Sequence, residues 1–171
     1  MKNYEIVIGD DTIELADELT LGQYQEITKS PERYKNPIQL ISLFTGISVM
    51  ELKNQDVETI EMLEAVIGTR FKIPDINEMV LTFNYDGVDY GLEMDWSKLA
   101  FGAWVDFEVY SAENIYDNLH RIMAILYRPI QSWGKNGKYT IKPYRSEEIE
   151  ERAEIMKLVP VKYWLSSAVF F

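Results

Sequence analysis

One arrangement of side chains occurs twice in this chain, and a repeated unit restricts the fold more tightly than composition does. Leu19, Leu21, Gly22, Tyr24, Glu26 and Ile27 recur as Leu99, Phe101, Gly102, Trp104, Asp106 and Phe107, all at one offset of 80 residues. Further on, Leu40, Leu43, Phe44 and Ile47 are answered by Met123, Leu126, Tyr127 and Ile130 at an offset of 83. A shared glycine inside a shared apolar pattern is harder to reach by chance than any single apolar match.

Each copy follows a segment that reads as a hairpin. "NYEIVIGDDTIEL" alternates around Gly9-Asp10-Asp11, and "MVLTFNYDGVDYGLEM" places Asp86-Gly87 where a type I′ turn needs positive φ. Thr20 with Gln23 fits a capping box, with Leu19 and Tyr24 at the positions of a hydrophobic staple. Ser30-Pro31 predicts the next helix start, with proline at the first helical position. "NPIQLISLFTGIS" predicts a buried helix ended by Gly46, and Ser48–Glu51 predicts a second capping box. Val57, Ile60, Leu63 and Ile67 define one face of a helix that Gly68 is expected to stop.

In the second copy Ala100 replaces the capping Thr20, so that helix must start differently, at Asp95 or Ser97. "SEEIEERAEIMKLV" predicts a helix capped by Ser146, with acids in its first turn and Ile149, Ala153, Met156 and Val159 on its apolar face. The expected fold is α+β and mainly helical, with two β-hairpins. It is an internal duplication of a hairpin-plus-three-helices unit, residues 1–74 and 79–171, packed as one body.

With 171 residues, 47% of them hydrophobic, the chain is long enough to bury a sizeable core. A net charge of −11 argues against nonspecific duplex binding, which needs clustered Lys and Arg. The absence of cysteine excludes disulfides and thiolate metal sites. Neither a signal peptide nor a membrane span is legible, so a soluble intracellular product, or one assembled inside a cell, is expected.

Catalytic chemistry is hard to find. His120 is the single histidine, and it lies in a helical stretch, where such a residue is more often a surface or core-edge group than a catalyst. Asp10-Asp11 and Asp86/Asp89 sit in expected turns, where aspartate bonds the local backbone. They lack the spaced ligand loop of a calcium site. "SWGKNGKYT" fails the phosphate-loop pattern at Ser132 and Tyr139. No enzyme activity, cofactor or metal is expected.

Two features point to binding instead. From Asn118 to Ser146 there is no acid, but Arg121, Arg128, Lys135, Lys138, Lys142 and Arg145 make an island of +6, with the rest of the chain at −17. Tyr127, Trp133, Tyr139 and Tyr144 are interleaved with it. The island reads as a patch for the acidic face of a partner or a second copy, ahead of a solvated loop and of single-stranded nucleic acid. The end, "LVPVKYWLSSAVFF", is apolar where termini are usually polar. It either packs into the core or offers Trp164, Phe170 and Phe171 as interface anchors. The expected partner-binding residues are Arg128, Trp133, Lys135, Lys138, Tyr139, Arg145, Trp164, Phe170 and Phe171.

"LTLGQYQEI", then "IQLISLFTGIS" and "MELKNQDVETIEML", resemble a pattern in bacteriophage tail assembly chaperones and related small phage morphogenesis proteins. Leu19, Thr20, Gln23, Tyr24, Ile38, Leu43, Gly46 and Ser48 carry the match, which covers residues 19–67. "WVDFE" and "IMAILYRP" look similar to segments of proteins from phages of intestinal and marine bacteria. The resemblance implies a noncatalytic protein of virion construction. It would act in the host cytoplasm on other phage structural proteins, the tape measure and tail tube subunits, with a homo-oligomer or ring as a further expectation. A permanent virion component (ring, connector or cargo protein) and a small regulator of a host protein are the alternatives.

Overall fold

Both hairpins form, and each leads into helices. The computed structural model describes residues 3–8, 11–73, 75–76 and 78–168. Strands β1 (Asn3–Ile8) and β2 (Asp11–Ala16) pair antiparallel with Ile6 opposite Ile13. Their alternation turns Ile8 and Leu15 into the core and leaves Val7 exposed. The expected turn at Gly9-Asp10 lies outside the described residues.

Helix α1 (Leu21–Lys29) opens with both arms of the capping box in place. Thr20 Oγ1 accepts from the Gln23 N–H at 3.2 Å, and Gln23 Oε1 accepts from the Thr20 N–H at 3.1 Å. A short α2 (Pro31–Tyr34) follows, although Ser30 makes no side-chain cap bond. In α3 (Pro37–Thr45) the carboxamide of Asn36 accepts from the Ile38 N–H, and Gly46, at φ +74°, ends the helix as predicted. The capping box of Ser48 and Glu51 opens α4 (Val49–Lys53). Asp56 caps α5 (Val57–Arg70).

Helix α5 departs from the sequence expectation at both ends. Val57, in the first turn, is exposed rather than part of the buried face formed by Leu63 and Ile67. Gly68 lies inside the helix, which runs on to Arg70. Glycine lowers helix propensity without forbidding the conformation. The Phe71 N–H still bonds the Ile67 carbonyl, and the Phe71 ring stacks on Phe44 at 4.0 Å.

The second half differs more. Strands β3 (Thr82–Tyr85) and β4 (Val88–Leu92) form the expected hairpin, with Asp86 at φ +49° and Gly87 at φ +76°. Asp95 caps a 3₁₀ turn, Trp96–Lys98, and α6 (Phe101–Ala112) begins after Ala100 with no side-chain cap. Helix α7 (Ile115–Leu126) stops where the repeat predicted more helix. Tyr127, the counterpart of Phe44, instead opens β5 (Tyr127–Trp133). Pro129 cannot continue a helix and pushes the residue before it into extended backbone.

β5 pairs with β4 and with β6 (Tyr139–Ile141), giving a four-stranded sheet in the order β3-β4-β5-β6 in place of a lone hairpin. Gly91 has no side chain because the Tyr139 ring crosses it: a Cβ there would stand 2.5 Å from that ring. The last helices are α8 (Ile149–Leu158) and α9 (Val161–Ala168). Ser146 does not cap α8; it starts a 3₁₀ turn, Ser146–Glu148. Ile149, Ala153, Met156 and Val159 are buried, as their spacing predicted.

The fold is α+β, with 58% of it helical and 19% strand, so helices dominate as expected. Helix α7 is its axis: Leu119, Ile122, Met123, Ala124, Ile125 and Leu126 are all buried. One apolar cluster takes in Leu21, Ile41 and Leu63 from the first half and Leu92, Ile122 and Met156 from the second. The backbone also crosses between the halves. Leu21 N–H bonds Val159 O and Val161 N–H bonds Leu19 O, both at 2.8 Å, so the start of α1 is pinned to the α8–α9 junction.

Candidate interaction surfaces

Pairing divides the basic island into an inward and an outward part. Arg128 is buried; its guanidinium meets the Glu93 carboxylate at 2.7 Å and donates to the Lys142 carbonyl at 3.2 Å. Burial pulls its pKa down, and the Glu93 charge opposes that. Arg121 clasps Glu150 with two bonds, 2.8 and 3.1 Å, and Arg145 lies 3.6 Å from Glu148. Lys135, Lys138 and Lys142 are exposed and form no ion pair among the described residues. Arg128 is therefore a structural residue, and the outward charge of the island is concentrated on the β5–β6 hairpin.

The aromatics of the island divide in the same way. Trp133 is 52% exposed, its indole N–H reaching Asp89 at 3.3 Å. Tyr139 is half-buried over Gly91, with its hydroxyl 3.1 Å from the Leu81 carbonyl and 2.9 Å from that of Leu92. It clasps the sheet rather than offering a contact. The Tyr144 hydroxyl donates to Asp106 across to α6, and burial with that carboxylate holds the phenol far above its usual pKa. At the chain end Trp164 is buried, so of the two readings of this segment the core-packed one holds for it. Phe170 and Phe171 lie outside the described residues.

His120, on α7, is only 5% exposed and faces Gln25 of α1. The buried Gln25 amide donates to the Tyr116 carbonyl at 2.8 Å and stands 3.0 Å from His120 Nδ1. With both amide hydrogens committed in this way, Nδ1 accepts and the ring proton belongs on Nε2. Burial first, then the charges of Lys157 and Arg121, pull the imidazole pKa down to about 4. His120 itself lines a groove of about 500 Å³, together with Glu14, Gln23, Glu26, Lys29 and Lys157. The two lysines are engaged, Lys29 by Asp117 at 2.9 Å and Lys157 by Glu154 at 2.6 Å. The imidazole and the Gln25 carboxamide thus tie α7 to α1.

Asp89 accepts from Asn84 at 2.7 Å, a role within the hairpin. Among the described residues no group of three or more His, Asp or Glu is disposed to hold a metal ion. No helix there is long and apolar enough to cross a membrane.

Two exposed surfaces escaped the sequence reading. On α6, Phe101 (82% exposed), Trp104, Val105 and Val109 face outward. Their spacing draws one stripe along the helix. Ala103, Phe107 and Tyr110 form the opposite stripe, packed toward Ile125 and Ile149. Because α6 is apolar on both sides, periodicity alone does not tell inside from outside. The second surface is acidic: Glu58, Glu61, Met62 and Ala65 line the outer side of α5, and Glu51 with the 77%-exposed Met50 stands on α4.

Comparison of the chain with protein-family models, with curated proteins and with solved structures gives no match.

Proposed function

We propose that this chain is a non-enzymatic bacteriophage assembly protein that works by protein–protein binding, in the manner of a tail assembly chaperone. The observation that carries the reading is the outer surface of α4 and α5, where exposed Met50, Val57 and Met62 stand among Glu51, Glu58, Glu61 and Glu64. Methionine is flexible and polarisable, so it accommodates apolar partners of varied shape. Carboxylates around it hold basic, aggregation-prone segments in solution and repel other acidic chains. The same residues lie within the stretch that resembles the tail assembly chaperones.

Mass spectrometry of tail intermediates and of finished particles tests the reading. A chaperone in the host cytoplasm accompanies unassembled tail subunits and is missing from mature particles. Stoichiometric recovery from mature particles would replace it with a permanent ring, connector or cargo role.

A further inference from the structure

The α6 stripe and the β5–β6 hairpin are opposite in character. Residues 99–117, which include α6, carry Asp106, Glu108, Glu113 and Asp117 and no Lys or Arg; Tyr144, Asn118 and Lys29 engage Asp106, Glu113 and Asp117, which leaves Glu108 facing outward. Glu108 is exposed on the helix that presents Phe101, Trp104, Val105 and Val109. Residues 131–145 carry Lys135, Lys138, Lys142 and Arg145 and no acid, with Trp133 exposed among them. One face is apolar with the negative charge of Glu108 in it; the other carries Lys135, Lys138 and Lys142, unpaired among the described residues, near Trp133, whose indole N–H rests on Asp89. A buried aromatic anchor within a charged rim is the usual anatomy of a specific interface.

We infer that the β5–β6 hairpin of one copy seats on the outer face of α6 in the next, head to tail. Trp133 would lie against Phe101 and Trp104, and Lys135 and Lys138 beside Glu108. The two faces belong to different elements, so the contact is heterologous, and repetition gives rings or filaments. The inference rests on the association reading above and assigns α6 to self-assembly, leaving the α4–α5 surface for other proteins.

The test uses the full chain and two variants whose changes lie on exposed side chains. One carries Phe101→Lys with Glu108→Lys; the other carries Lys135→Glu with Lys138→Glu. Circular dichroism and thermal melts confirm that both fold. Size-exclusion chromatography with light scattering then reads the mass over a concentration series at low and high salt. The wild type is expected to exceed its 20.0 kDa monomer mass, with association weakened about tenfold at high salt as screened charges lose their attraction. Each variant alone is expected to be monomeric. An equimolar mixture should associate, because the intact hairpin of one variant meets the intact α6 face of the other.

A wild type that stays monomeric at every concentration overturns the inference. So does a variant that assembles as the wild type does, or a mixture that forms no complex. A monomeric wild type that still recovers tail subunits removes the head-to-tail contact and leaves the association reading standing.

Discussion

Glu93 and Arg128 show what a single residue can decide in this fold. The pair is nearly out of water, so removing one charge strands the other in a weakly polarisable interior. Glu93→Gln is expected to cost about 3 kcal/mol in urea unfolding, and Glu93→Leu with Arg128→Met far less, since both charges then leave together. Equal costs would place the stabilisation elsewhere. His120 gives a pH dependence. Its folded pKa, about 4, lies below the unfolded value, so the unfolded chain takes the proton first as pH falls. Its contribution is intact above about pH 6.5 and is lost on the way down to about pH 4. Across that window the wild type should lose on the order of 3 kcal/mol more than His120→Gln. Parallel stability curves for the two proteins would contradict it.

At the scale of elements, Gly22 and Gly102, which the sequence pattern aligns, separate two kinds of packing. A Cβ on Gly22 would meet the Lys157 carbonyl at 3.1 Å and its Cβ at 3.2 Å, because α1 lies close against α8. On Gly102 it would reach only the edge of the Tyr144 ring at 3.4 Å. Gly22→Ala is expected to destabilise by about 1–3 kcal/mol, and Gly102→Ala to stay within about 0.5 kcal/mol of the wild type. Urea midpoints of the two variants check this, and equal losses would contradict the close approach of α1 and α8. What could be read from sequence at this scale was local: both capping boxes, the type I′ turn, the Gly46 stop and the buried face of α8. Each depends on residues a few positions apart. What was misread depends on distant partners. The run "IMAILYRPI" looks like continuing helix until β4 supplies the ladder that draws Tyr127 into a strand, although Pro129 was a visible signal. Gly68 looks like a stop until Phe71 finds Phe44.

For the whole molecule, the sequence showed where charge accumulates but not which way it faces. The island of +6 was plain, yet Arg128, Arg121 and Arg145 are answered by Glu93, Glu150 and Glu148, acids outside that stretch. The outward faces of α5 and α6 were hidden for a different reason. An exposed methionine or phenylalanine has no signature in a chain where apolar residues fill nearly half the positions. Under the proposed function those two faces make separate contacts, one with phage subunits and one with a second copy. The most direct measurement places a photo-crosslinking amino acid at Met62 and identifies the adducts formed during infection. Adducts with phage tail subunits, absent from a control carrying the same group at an exposed site on another face, are expected. Adducts confined to host proteins, or none at all, would contradict the claim that this surface works by holding phage proteins.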